Sequence, residues 1–479
     1  MTGMSLKELV LNFESLSVYR NLLEDKVIKK LHELINFLDG DKLELDGFVR
    51  LYNEFFFQLT VSNSTGTFKN YIIEKLIFDE NPFSRLAEGV CFEDIDEHLI
   101  QAVSKDLDSL YAISCLTSNE IKKLAVDKIC SCGMERDVKN KLPDMTRKNR
   151  PPVSKNRPPV LLVLEKLPSW EFQKKSNSNR KVFSIQYQRM VEILHSCSRW
   201  GDKAKELSEF YYRNGSGMFA RYGAFVWESI EGKSCLRGIE VPDPIRLSDF
   251  IGYEQERLEV IENTEKFLKG LPANNVLLYG DRGTGKSSTV KAIVNEYREM
   301  GLRIIEIPRK HLVDFPAVIR QIKGRKCKFI IFVDDLAFED SEESYTVLKS
   351  ILEGGVENRP DNVLIYATSN RRHLIKEKFS DRAGFRSDDP DDEIRAQDTM
   401  QEKLSLSERF GITVIFSSPD KKRYLGIVEG LAAQRGINID RDRLQKEAMK
   451  WELMYNGRSA RTAKQFVDWL EGNERLRSE

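Results

Sequence analysis

Residues 277–290 read LLYGDRGTGKSSTV. Three glycines and a lysine stand between a short apolar run and a segment with helical periodicity. Gly280, four further residues, then Gly285, Lys286 and Ser287 complete a phosphate-binding loop pattern. The residue types follow from the chemistry such a loop performs. Glycines let main-chain N–H groups turn inward and approach a phosphate closely. The helix expected from Lys286 onward adds partial positive charge at its first turn. Lys286 supplies a compact cation to β- and γ-phosphate oxygens, and the Ser287 hydroxyl can ligate magnesium. The pattern thus assigns Gly280, Asp281, Arg282, Gly283, Thr284, Gly285, Lys286, Ser287 and Ser288 to binding a nucleotide's phosphates with Mg2+. The alternative is a Gly-rich turn that matches by chance.

Outward from the loop, the apolar runs NVLLYG, RIIEIP, KFIIFV, VLIYAT and TVIFS alternate with amphipathic helical stretches. Buried-type strands joined by crossover helices predict an α/β fold, a doubly wound parallel sheet of five strands over residues 248–418. After Pro419 only helical patterns remain, so residues 419–479 read as an all-α lid. The run KFIIFVDDLAFED delivers Asp334 and Asp335 to the carboxyl end of a strand, the edge where ligands bind in open α/β sheets. Asp334 is the candidate magnesium ligand and Asp335 the candidate for orienting the attacking water. A helix cap after a buried strand would need only one acid.

Residues 1–142 read as successive helices, with Phe55, Phe56 and Phe57 as core rather than ligand site. The tandem KNRPPVSKNRPPV makes 143–160 a basic, Pro-rich linker, because paired prolines exclude helix and favour extended geometry. Residues 161–247 read as a helical or mixed connecting region. With 479 residues, two to four domains are expected. Lys plus Arg equals Asp plus Glu at 75 each, so no overall field points to nucleic acid or an anionic membrane. Seven cysteines without a CxxC pair argue for a reducing cytoplasm over a disulfide framework or zinc site. No apolar run approaches the roughly 20 residues that cross a bilayer.

The loop, the acid pair and three later segments together resemble the AAA+ ATPases over about residues 248–470, and among them a bacterial branch catalogued as a domain of unknown function. That resemblance implies ATP as the nucleotide and roles for further residues. VLIYATSN puts Asn370 where the family has its first sensor, with a helix-capping Asn as the alternative. SLSERFGI puts Arg409 at the arginine finger that reaches a neighbouring subunit's nucleotide; pairing with Glu402 or Glu408 is the alternative. NGRSARTAKQF offers Arg461, or else Arg458, as the second sensor. DFIGYEQERL resembles the segment lining the adenine pocket and offers Ile251 and Tyr253.

Two departures qualify the resemblance. Asp335 stands where most of the family has glutamate, setting the carboxylate back by about 1.5 Å. After RIIEIP, the sequence RKHLVDF lacks the aromatic–apolar–Gly triplet of polypeptide-threading loops. The acidic stretch 380–402, with eight acids and three arginines, reads as an exposed loop. The expectation is an oligomeric ATPase, a homo-oligomeric ring of six subunits by family likeness, remodelling a macromolecular client that is protein rather than nucleic acid. A nucleotide-gated switch with slow hydrolysis and a P-loop phosphotransferase are the competing readings.

Overall fold

The computed structural model describes residues 4–41, 43–62, 66–131, 159–171, 184–336, 349, 352, 360–370, 409–455 and 457–478. Most of the Pro-rich linker and the whole acidic stretch 380–402 lie outside these residues. The chain divides into two compact units, Met1–Arg221 and Tyr222–Glu479. No helix among the described residues is long and apolar enough to cross a membrane.

The first unit is helical, as its periodicity predicts, with long elements at Lys26–Asp39, Leu45–Ser62, Glu97–Ser114 and Ala204–Asn214. Side-chain hydroxyls and carboxylates start several of them: Asp25 accepts from Val27 and Ile28, and Asp96 accepts from His98 and Leu99, satisfying amides the helix leaves unpaired. Phe55 is fully buried, its ring edge-on to Trp170 at 5.1 Å. Phe57 is 62% exposed, because two residues along a helix turn a side chain through about 200°. The three phenylalanines are therefore not one core cluster. Buried Asp106 accepts from the amides of Ser17, Val18 and Tyr19 at 2.7–3.0 Å, tying the chain start to the Glu97–Ser114 helix.

The second unit is built on a seven-stranded sheet whose spatial order, among the described residues, is β2 (Lys233–Gly238), β1 (Ala224–Ile230), β4 (Leu302–Glu306), β5 (Lys328–Val333), β6 (Val363–Ser369), β3 (Val276–Gly280) and β7 (Ile412–Phe416). The five predicted strands are β3, β4, β5, β6 and β7. They run parallel, and β3 lies between β6 and β7. All of β3 and β6 is buried, the pattern of strands covered on both faces. The sheet is larger than the five strands expected. β1 (Ala224–Ile230) and β2 (Lys233–Gly238) form an antiparallel hairpin, and β1 joins β4 in parallel. These residues, within the span read as a helical or mixed connection, belong to the sheet. Alternating buried Phe225 and Trp227 lead to a two-residue turn in which Glu231 and Gly232 both have positive φ, the turn whose twist suits a tight hairpin.

The helices Lys421–Gln434, Arg441–Met454 and Ala460–Ser478 complete the unit. Tyr424, Val428, Phe466 and Val467 share one apolar core with Val276, Leu278 and Phe416 of the sheet.

In the first unit, buried Asp79 accepts from Asn81 at 2.8 Å, yet burial holds its carboxyl up to about 6. The folded state therefore keeps a proton that the unfolded chain has lost. That contribution is complete below about pH 4 and disappears as pH rises through 6. Asp79→Asn should stabilise the protein at pH 7.5 by roughly 2–3 kcal/mol, with the gain shrinking toward pH 5. Thermal unfolding across that range checks this; a gain independent of pH would contradict it.

Candidate nucleotide site at the carboxyl edge of the sheet

The loop leaves β3 beside the end of β7. At Gly280, φ is 135° and a Cβ would lie 2.2 Å from the Phe416 carbonyl oxygen, so only glycine fits. The Asp281 amide donates to that same carbonyl at 3.0 Å. The Asp281 carboxylate accepts from the Ser418 amide at 2.7 Å and hydroxyl at 2.6 Å. Thr284 Oγ1 closes the loop onto the Asp281 carbonyl at 2.9 Å. Gly283, with φ 76°, faces the start of the last helix: a Cβ there would sit 3.0 Å from Ser459 Oγ and 3.1 Å from Arg461 Cβ. The Arg461 amide donates to the Gly283 carbonyl at 2.9 Å. One loop thus holds both the entry to the lid and its final helix. Arg282 is exposed and Ser288 half-buried.

Lys286 opens the helix Lys286–Tyr297, whose cap, Gly285, offers no side-chain acceptor. First-turn amides and a positive helix end are then available to an anion. Lys286 is buried, and its Nζ donates to the carbonyls of Gly280 at 3.1 Å and Asp281 at 2.7 Å. Burial pushes its pKa down to about 8, against the pull of Asp281, Asp335 and Asp334. Glycine backbone, uncapped helix start and half-desolvated ammonium all fit a polyphosphate.

The two acids follow β5. Asp334 Oδ1 accepts from Ser287 Oγ at 2.6 Å, Thr368 Oγ1 at 2.6 Å and the Asp335 amide at 3.1 Å. A carboxylate and a hydroxyl this close form a hard oxygen set suited to magnesium with its waters. Asp335 adopts a left-handed backbone, φ 53°, which aspartate tolerates better than most residues. Its carboxylate pairs with Arg309 Nη2 at 2.7 Å and accepts from Asn370 Nδ2 at 2.5 Å.

The structure therefore brings Lys286, Ser287, Asp334, Asp335 and Asn370 together with the lid's Arg461. Arg458 instead pairs with Glu452 at 3.0 Å. Tyr253, also left-handed at φ 62°, is buried. Its ring stacks on Phe416 at 5.6 Å, Arg423 lies 3.9 Å from the ring centre, and its hydroxyl donates to the Ser417 carbonyl at 2.7 Å. Its ring is thus already engaged between sheet and lid. Ile251 packs on the lid at Gly430, while Phe250 approaches the loop at Gly285. Arg409 precedes β7 at the amino end of the strands. Its own loop is at the other end, roughly 16 Å of strand away.

Thr368, Arg309, Ser418 and Phe250 were not singled out from sequence. Thr368 was readable in principle, since alternation puts it on the same side of β6 as Asn370. Arg309 was not. It begins a short 3-10 helix, Arg309–Asp314, whose far end is held by Trp227 Nε1 and Ser234 Oγ donating to Asp314 at 2.9 and 3.1 Å. Those donors come from the unforeseen hairpin.

A polyanion near Lys286 favours its charged form. Nucleotide binding at pH 8 should take up about half a proton, fading toward pH 6.5, and affinity should weaken above pH 8. Calorimetry in buffers of different ionisation enthalpy measures this, and no uptake at pH 8 would contradict the assignment.

The family model described as "Protein of unknown function (DUF815)" matches residues 220–474, more than half of the 479 residues. A Methanocaldococcus jannaschii protein named as a 26S proteasome regulatory subunit homolog is 25% identical over 239 residues, covering 43% of this chain and 63% of that protein. The proteasome-activating nucleotidase of Methanothermobacter thermautotrophicus is 30% identical over 162 residues, covering 28% of this chain and 39% of its own. The chain thus spans less than two thirds of the length of either relative. Among solved structures, the Thermotoga maritima RuvB Holliday junction branch migration motor aligns at 16% identity over 47% of this chain and 72% of its own, with a TM-score of 0.28. By its family match, its glycine loop and the acid pair at the same sheet edge, the chain belongs to the DUF815 family and is an AAA+ P-loop protein.

Proposed function

We propose that the chain is an oligomeric ATPase that couples Mg-ATP hydrolysis to rearranging a protein client. The observation that carries this reading is the Asp334–Asp335 pair, held beside Ser287 and within the field of buried Lys286. A phosphate site that served only for holding would need the loop but not a second, outward carboxylate. In this reading the loop amides and Lys286 bind the phosphates, and Ser287 and Asp334 hold magnesium. The ion, when bound, offsets negative charge developing on the phosphoryl oxygens. Asp335 orients water and Asn370 orients Asp335. Arg461 reports nucleotide to the lid. Arg409, at the wrong sheet edge for its own loop, serves the next subunit. Ile251 and Phe250 border the base. A protein client is supported by the proteasome-related names of the relatives and by the balanced charge, 75 against 75. A cytoplasmic setting agrees with Cys91, Cys115, Cys197, Cys235 and Cys327, which are free thiols among the described residues.

The Arg309–Asp335 ion pair favours a second reading, a nucleotide-gated switch that hydrolyses slowly. A guanidinium on the carboxylate keeps it from a water molecule, and aspartate's shorter reach adds to the effect. A misplacement near 1 Å can cost about 10²-fold in rate.

Purified protein should hydrolyse ATP, with Lys286→Ala inactive and Arg409→Ala slower by about 10³-fold or more. Mixing these two variants should restore part of the activity, because each supplies what its neighbour lacks; a mixture no better than its parts would refute the shared site. Arg309→Ala should raise basal turnover roughly 3–10-fold if the ion pair holds Asp335 back. A fall in steady-state kcat would instead make Arg309 part of the working site.

A further inference from the structure

We infer that Thr368 is a positioning residue for hydrolysis, setting both acids through one hydroxyl. The inference rests on the hydrolytic reading of the site. Thr368 lies near the carboxyl end of β6 and is 2% exposed. Its hydroxyl donates to Asp334 Oδ1 at 2.6 Å and accepts the Asp335 amide at 2.8 Å. A hydroxyl has one proton to give and lone pairs to receive, so this single group binds the magnesium candidate and the water-orienting candidate at once. Its carbonyl also accepts the Leu336 amide at 2.6 Å. The turn that carries Asp335 at positive φ is therefore pinned to β6 at two successive amides.

Ser287 and Thr368 meet at the same carboxylate oxygen but differ in what else they are fitted for. Ser287 belongs to the phosphate loop, and a magnesium ligand must turn its oxygen to the metal. Thr368 stands on a strand hydrogen-bonded on both sides, by β3 and β5. Its β-branched side chain has little rotational freedom. Alternation explains the choice of residue: Thr368 and Asn370 face the acids, whereas Ser369 between them is buried with no partner for its hydroxyl among the described residues. One strand thus places Asp335 from two directions, the amide through Thr368 and the carboxylate through Asn370.

Thr368→Val keeps the shape and the Leu336 bond but removes the hydroxyl; Thr368→Ser keeps the hydroxyl. The Val variant should lose about 10–100-fold in kcat with KM for ATP changed less than about threefold, while the Ser variant recovers most of the rate. In nucleotide-free protein, amide exchange in a peptide spanning residues 333–337 should be about tenfold faster in the Val variant and unchanged in the Ser variant. Equal exchange in the Val variant and wild type, or Ser as impaired as Val, overturns the proposal. If wild type shows no turnover the hydrolytic reading fails on its own, and the exchange result still decides whether Thr368 sets the acids.

Discussion

The approach of Gly280 to the Phe416 carbonyl constrains everything around the loop. A side chain at that position would meet main chain 2.2 Å away. Because the contact is this close, β3 and β7 end together and the Asp281 amide reaches the same carbonyl. The residues that follow β7 then come within reach of the loop. Ser418 binds the Asp281 carboxylate, Ser417 binds the Tyr253 hydroxyl, and Asp420 caps the first lid helix. Loop and lid entrance are consequently one hydrogen-bonded body.

The charges at this edge are arranged by depth. Lys286 is buried and partly desolvated, held by carbonyls rather than by a direct carboxylate partner. Asp334 lies next to it and takes three donors on its Oδ1. Asp335 is further out, with its side chain 54% exposed, and there it takes Arg309 as an ion-pair partner. An exposed pair of this kind contributes little to stability. Its effect is positional, because the guanidinium occupies the outward carboxylate. Lys286, in the loop, is thus buried and fixed by the fold, while the outer carboxylate is exposed.

Much of this was readable one residue at a time. The strand–loop–helix around Gly280, the five buried runs and the acid pair after β5 are local patterns, and local patterns survive without knowledge of the neighbours. The hairpin over 224–238 was missed because its polar edge strand, KSCLRG, and its Glu–Gly turn give a weak periodic signal beside the aromatic helices before it. Tyr253 was chosen as a pocket residue by position in a motif, but its ring is committed to Phe416 and Arg423, residues more than 160 positions away.

By itself the amino-acid order determined the fold class and the chemistry available: glycines for an anion, a lysine and a hydroxyl at the head of a helix, two carboxylates at a strand tip. These follow from covalent spacing and from the 2.0 and 3.6 residue periods. Only the tertiary structure decided which of those groups share an atom. That Thr368 and Ser287 meet on one oxygen of Asp334, that Arg309 claims Asp335, and that Arg409 lies at the opposite end of β7 from the loop all depend on how the strands pair. Strand order is set by packing between segments far apart in the chain, and no spacing along the sequence records it.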